Sequence, residues 1–179
     1  MAKPTELGWK AADFALKGVD GKAWRLADVR GAKGTLVAFI CNHCPYVKAV
    51  IGRLVEEAGA LQALGIGTIA IMPNDTKAYP ADSFENMQVF ARQHGFGFPY
   101  VIDETQGVAK AYGAVCTPDF FGFNARDELQ YRGRLDASRT SLVAGARREL
   151  YEAMKLIAET GRGPAEQLLS TGCSIKWRH

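Results

Sequence analysis

The stretch from Leu36 to Met72 does most to fix what this chain can fold into. It runs apolar strand, helix, apolar strand. Leu36-Val-Ala-Phe-Ile40 is a continuous apolar run, too short for a helix and bounded by Gly34, which is the pattern of a strand buried on both faces. After Pro45, the residues Val47, Val50, Ile51, Leu54, Val55, Ala58 and Leu61 recur at helical spacing, with Glu56 and Glu57 outside that stripe and Gly65 as the stop. Thr68-Ile-Ala-Ile-Met72 is a second buried run. Two such strands joined by a helix in one sheet require a right-handed parallel crossover, which makes Leu36–Ile40 a central strand.

The flanks extend this pattern. Asp13-Phe-Ala-Leu and Trp24-Arg-Leu surround the turn signal Val19-Asp20-Gly21-Lys22, predicting a short N-terminal hairpin at an edge. Ser83 with Asn86 to His94 predicts a helix, Tyr100-Val-Ile-Asp103 a short strand, and Val108 to Tyr112 one or two helical turns. Phe120-Phe-Gly-Phe, the turn Asn124-Ala-Arg-Asp127 and Leu129-Gln-Tyr-Arg-Gly predict a second hairpin, so the sheet changes there from parallel to antiparallel. Leu142 to Glu159 carries the stripe Leu142, Ala146, Leu150, Ala153, Met154 and Ile157 and predicts a last helix ending before Gly161. Residues 1–161 are therefore expected to form one α/β sandwich with a mixed sheet. Residues 162–179 form an aperiodic tail that packs on that domain or extends from it.

At 179 residues and 47% apolar composition the chain suits one globular domain. The net charge of +3, with its basic residues scattered, leaves no footprint for nucleic acid. No segment has the length of a membrane span or the apolar centre of a secretion signal, so a cytoplasmic location is expected. In a reducing cytosol, four cysteines point to cycling chemistry or metal rather than to structural disulfides.

The chemistry concentrates in Cys41-Asn42-His43-Cys44-Pro45, where the buried strand hands over to the helix. A cysteine at a helix N-terminus meets unpaired N–H groups and the positive end of the macrodipole, and both favour the reactive thiolate. His43 lies between the two thiols, where an imidazolium lowers a thiol pKa, and the two-residue spacing permits a tight disulfide. With Pro45 as first helical residue, Cys44 is the N-cap and takes the strongest dipole help; with the helix one turn earlier, Cys41 is the exposed nucleophile. A CxxC also forms half of a zinc site, although no second pair is present, and Cys116, Cys173, His94 and His179 stand apart. Inert packing is the remaining reading.

Several motifs in order resemble the thioredoxin-fold superfamily, and within it the peroxiredoxin-like AhpC/TSA-related redoxins that carry a thioredoxin-style CxxC. They are Ala12-Asp-Phe, Phe39-Ile-Cys-Asn-His-Cys-Pro-Tyr-Val47, Tyr112-Gly-Ala-Val-Cys-Thr-Pro118, Tyr131-Arg-Gly-Arg134 and Gly172-Cys-Ser-Ile-Lys-Trp177. The resemblance implies a thioredoxin-like three-layer sandwich in which Thr117-Pro118 is a cis-proline loop facing the CxxC. That loop would leave the backbone before Pro118 free to pair with a substrate peptide, with Thr117 and Pro45 lining the groove. Cys116 would lie near the pair as a third thiol or a buried small residue. Cys173, in the tail beside Ile175 and Trp177, would resolve a sulfenic acid, join another disulfide or stay free.

Peroxiredoxins place a Thr or Ser three residues before the peroxidatic cysteine and add a remote Arg, which together stabilise charge on the breaking O–O bond. Here Cys44 matches the peroxidatic position, but Cys41 stands at the hydroxyl position and Pro118 where the Arg would lie, leaving Arg132 or Arg134 as substitutes from the neighbouring strand. The expected function is thus a thiol–disulfide oxidoreductase cycling Cys41 and Cys44, with His43 tuning pKa and Pro118 shaping the groove. It would act on a protein or small-molecule disulfide or a peroxide, with an external thiol as reductant and no cofactor. The alternatives are a thiol-dependent peroxidase using Cys44, with an antioxidant role, and a soft-metal protein gathering copper or zinc with Cys41, Cys44 and either His43 or Cys116. The sequence gives no oligomeric state.

Overall fold

The computed structural model describes residues 1–179. Strand β1 (Ala15–Gly18) turns into β2 (Ala23–Arg25), which leads directly into a single helical turn, α1 (Leu26–Val29). Then come β3 (Gly34–Phe39), α2 (Pro45–Ala63), β4 (Ile66–Met72), a 3-10 turn over Pro80–Asp82, α3 (Phe84–Gln93), β5 (Tyr100–Ile102) and α4 (Gly107–Tyr112). The chain finishes with β6 (Cys116–Thr117), β7 (Asp119–Asn124), β8 (Leu129–Gly133), α5 (Glu149–Thr160) and β9 (Cys173–Ser174).

Seven strands form one mixed sheet in the order β2-β1-β5-β4-β3-β7-β8. Strands β3, β4 and β5 are parallel, β7 and β8 return antiparallel, and the N-terminal hairpin adds antiparallel to β5. This is a thioredoxin-like α/β fold, with β3 in the middle and all six of its residues buried, as its uninterrupted apolar run requires. One face of the sheet packs against α2, α3 and α5 through Leu36, Ala38, Leu54, Phe90, Met154 and their neighbours. The other packs against α1 and α4 through Val37, Phe39, Val29, Ala109 and Tyr112. Alternation along the strands sends successive side chains to these two cores. Tyr112 centres the second, with Trp9, Phe39, Phe121 and Phe123 all edge-on or tilted around it or one another.

Two expectations need correction. Helix α5 begins at Glu149 rather than Leu142. Residues before it wrap the Arg53 guanidinium, which donates to Asp136, Ser138 and the Val143 carbonyl, and Gly145 turns the chain at φ +66, so Leu142 and Val143 are exposed instead of forming a stripe. Glu57 is buried rather than outside the α2 stripe because Arg148 reaches it with a bidentate pair at 2.8 and 2.6 Å, while Val55 is only half-buried. The tail, irregular outside β9, is tied down onto the domain. Its Leu168 carbonyl accepts from Arg134 N at the β8 edge, and further along β9 pairs with β6. No helix is long and apolar enough to cross a membrane.

Candidate active site

The site lies at the C-terminal end of β3, where α/β sheets commonly open toward ligands. Ile40 N still donates to Ile71 O on β4, and beyond it the backbone leaves the sheet through Cys41-Asn42-His43. Cys44 is the N-cap of α2 with Pro45 as its first residue, which resolves the register left open by the sequence. Its carbonyl accepts from Val47 N and Lys48 N, so the residue stands at the unpaired end of a 19-residue helix.

Facing it is the loop that carries β6. The Thr117–Pro118 peptide is cis. Thr117 touches both thiols: its Oγ1 is 3.4 Å from Cys41 Sγ, and its carbonyl oxygen is 3.3 Å from Cys44 Sγ. Both Cys41 and Cys44 have no exposed surface, and all four cysteines are unbridged. The backbone of Thr117, expected to be free for a substrate, is occupied. Strand β9 pairs with it in the register Thr117↔Cys173, and Cys173 Sγ lies 2.8 Å from Cys44 Sγ.

The proton inventory of this cluster is asymmetric. Cys44 is pulled below the ordinary thiol range, chiefly because Cys41 hydrogen-bonds to it, with Cys173 and the Val47 N–H adding to the effect against the cost of burial. Cys41 is pushed up for the complementary reason: it holds the shared proton toward Cys44, in a buried position beside the charge of Asp82. Cys173 is pushed up by burial and by its bond to Cys44. The Thr117 carbonyl opposes ionisation of Cys44, since it accepts from the thiol but meets a thiolate with its lone pairs. Donors outnumber that one contact, so ionisation is favoured at Cys44 over Cys41 and Cys173.

His43 is half-buried, and its Nδ1 is 2.7 Å from Asp82 Oδ2 in a close contact that is not aligned as an N–H···O bond. Asp82 has no exposed surface; its Oδ1 accepts from Asn42 N at 2.8 Å and its Oδ2 from Asn74 Nδ2 at 2.9 Å. Asn42 in turn accepts from the buried Tyr100 hydroxyl at 2.8 Å and donates to Ala81 O. Sequence reasoning missed Asp82, Asn74 and Tyr100. The signal was there in Asp82, an acid placed between β4 and the Ser83 cap of α3, in the loops that gather at the strand ends.

Two further expectations are corrected. Arg132 is no partner for Cys44: it pairs with buried Asp119 at 3.2 Å and lies over Phe121, on the sheet face away from α2, while Arg134 is bound to Glu149. The predicted metal set of Cys41, Cys44 and either His43 or Cys116 is not what the fold assembles. The group that converges is Cys41, His43 and Asp82, with ligand atoms within 4.8 Å of one another. Cys116 Sγ faces the carbonyls of Pro118 and Ser170 instead, and burial pushes its pKa up to about 12.

Residues 7–135 match the AhpC/TSA family. A thiol-disulfide oxidoreductase ResA from Geobacillus thermodenitrificans is 30% identical over 115 residues, which is 64% of this chain and 62% of that protein, so the chain spans less than two thirds of this relative's length. Over nearly the whole chain it is similar to the crystal structure of an uncharacterized conserved protein from Geobacillus kaustophilus, at TM-score 0.91 and 45% identity, covering 97% of this chain and 93% of that one. A hypothetical protein from Sinorhizobium meliloti 1021 is similar at TM-score 0.90 and 37% identity, covering 97% and 95%.

Proposed function

Because the chain belongs to the AhpC/TSA family, a group of thiol-based redox proteins, we propose that it is a thiol–disulfide oxidoreductase in which Cys44 attacks and Cys41 resolves. The observation that carries this reading is the placement of Cys44, the N-cap of α2 facing the cis Thr117–Pro118 loop, with Arg132 and Arg134 both engaged by carboxylates.

The steps follow from the proton inventory. The Cys44 thiolate attacks one sulfur of a disulfide RSSR, forming Cys44–S–SR and releasing RS⁻, which takes a proton from solvent. With the charge on Cys44 gone, the main cause that raised Cys41 is gone as well. Cys41 then ionises and attacks Cys44 Sγ, closing Cys41–Cys44 and releasing the second RS⁻. An external thiol reverses the cycle. In this reading Thr117 steadies the Cys41 sulfur through its hydroxyl, Pro118 and Pro45 border the groove, and Asp82 fixes the Asn42 backbone while facing His43.

Equilibration with glutathione redox buffers, followed by mass spectrometry of the thiol state, tests this on wild type and on each single Cys→Ser variant. A reversible two-electron couple that needs both Cys41 and Cys44 supports it. Absence of any such couple would remove it, and the converging Cys41, His43 and Asp82 ligand atoms would then bring metal binding forward.

A further inference from the structure

The C-terminal segment occupies the place where an extended substrate would pair. Strand β9 runs antiparallel to β6, and Ile175 N donates to Val115 O, continuing the ladder by one residue. Gly172 passes so close to the cis peptide that a Cβ there would run into the Thr117 carbonyl oxygen, which is why the residue before the cysteine has no side chain. Ser170 Oγ donates to Pro118 O at 2.6 Å. Past the cysteine, Ile175 is buried in the second core, and the Lys176 backbone is clamped between Asn74, Asp75 and Gln106. This is strand addition by the chain to its own cis-proline loop.

We propose that the segment Ser170–Lys176 is a tethered internal substrate, and that Cys173 is the thiol through which the Cys41–Cys44 pair exchanges electrons with external thiols. The inference rests on the redox reading above and adds its exit route. Cys41 and Cys44 have no exposed surface, whereas Cys173 is partly exposed and its sulfur is 2.8 Å from Cys44 Sγ, so closing about 0.8 Å brings the two to the length of an S–S bond, about 2.05 Å. Cys116 does not compete, because its sulfur faces two carbonyls.

The exchange balances. The Cys173 thiolate attacks Cys44 Sγ of the Cys41–Cys44 disulfide; the Cys44–Cys173 bond forms, and Cys41 leaves with the electron pair and takes up a proton, with no net oxidation. An external thiol RSH, as its thiolate, then attacks Cys173 Sγ, giving Cys173–S–SR and the Cys44 thiolate. A second RSH releases RSSR and restores the Cys173 thiol. The sum is one protein disulfide and two RSH converted into two protein thiols and RSSR, with Cys173 a free thiol before and after.

Diamide oxidation of the Cys41→Ser variant and peptide mapping without reduction is the first test, and a Cys44–Cys173 crosslink within one chain is expected as the main product. Free Cys173 beside an intermolecular or small-molecule adduct on Cys44 would overturn the proposal. The second test times the reduction of the oxidised protein by glutathione. Cys173→Ser is expected to slow it by about tenfold or more, since the remaining disulfide is buried; an unchanged rate overturns the exit route. Gly172→Ala, which retains every thiol, is expected to lose the crosslink and to let a bulky maleimide reach Cys44. Persistence of the crosslink there would show that the strand pairing is not what presents Cys173. The two readings fail separately. A Cys41–Cys44 couple without the crosslink removes this inference alone, and loss of every couple removes the oxidoreductase with it.

Discussion

His43 Nδ1 stands 2.7 Å from Asp82 Oδ2, and of the two residues it is the aspartate that is fixed, buried without exposure and bonded to Asn42 N and Asn74 Nδ2. Its charge is one of the groups that hold the Cys41 proton on. Asp82→Asn is expected to cost stability, about 1–3 kcal/mol for a buried hydrogen-bonding group left mismatched, and to lower the titration of Cys41. Denaturant unfolding and thiolate absorbance against pH measure the two effects. If Cys41 titrates unchanged, Asp82 has a purely structural role.

The depressed Cys44 thiol makes the stability of the reduced protein depend on pH with a definite sign. Between the native Cys44 pKa and the ordinary thiol value near about 8.5, the unfolded chain binds a proton that the native chain does not, so stability rises with pH there and is lost as pH falls through the native value. Above about 8.5 the raised thiols of Cys41, Cys116 and Cys173 act in the opposite direction, because the native chain keeps protons that the unfolded chain releases. The stability difference between reduced wild type and Cys44→Ser is therefore expected to grow as pH rises toward about 8.5. A difference that is flat with pH would mean that Cys44 is not the thiolate.

A stabilised thiolate also sets the direction of electron flow. Hydrogen bonds to Cys44 favour the reduced form and make the disulfide a stronger oxidant, so the couple is expected to be less negative than thioredoxin's value of roughly −270 mV. Cys173→Ala deletes one of those bonds. At about 1.5–3 kcal/mol for a hydrogen bond to a charged group and about 1.4 kcal/mol per 30 mV, the Cys41–Cys44 potential is expected to move more negative by about 30–60 mV. Redox equilibration of the variant decides it, and a shift in the other direction would contradict the bonding described.

What the sequence showed most plainly was whatever rested on local periodicity. Leu36–Ile40, the α2 stripe and Thr68–Met72 placed the parallel crossover, and the CxxC at its strand end followed from the same pattern. The resemblance of the Thr117-Pro118 motif placed the loop opposite. What stayed hidden depended on contacts between distant residues: Asp82 reaching Asn42 across 40 positions, Arg148 drawing Glu57 inward, and β9 laid on β6. A two-residue strand has no period to detect. The expectation of an open groove failed for that reason, since Gly172-Cys173-Ser174 reads as a loop until Thr117 is seen beside it.

The support behind the cysteines gives a test of precision. The Tyr100 hydroxyl donates to Asn42 Oδ1 inside the core. Tyr100→Phe keeps the ring and leaves Asn42 short of a donor, which is expected to cost about 1–3 kcal/mol in urea unfolding and to slow closure of the Cys41–Cys44 disulfide. A variant as stable and as fast as wild type would show that Asn42 finds another partner.

The metal alternative predicts a different result from the same protein. Asp82 already spends its oxygens on Asn42 and Asn74, so an ion at Cys41, His43 and Asp82 must compete with those bonds. Protein purified without added metal is expected to hold far less than one equivalent of zinc or copper after dialysis. One equivalent that survives dialysis and disappears in Cys41→Ser would replace the redox reading.

The tail is fastened on both sides of its cysteine, at Leu168 on the β8 edge and at Lys176 between Asn74, Asp75 and Gln106. A strand held this way opens as a short arch instead of fraying from its end, and Cys173 never diffuses away from Cys44. Its effective concentration at that sulfur is set by the few residues between the anchors, at the millimolar level or above that short tethers give. An external thiol competing for Cys44 must exceed that level, whereas one that attacks Cys173 does not compete with the tail.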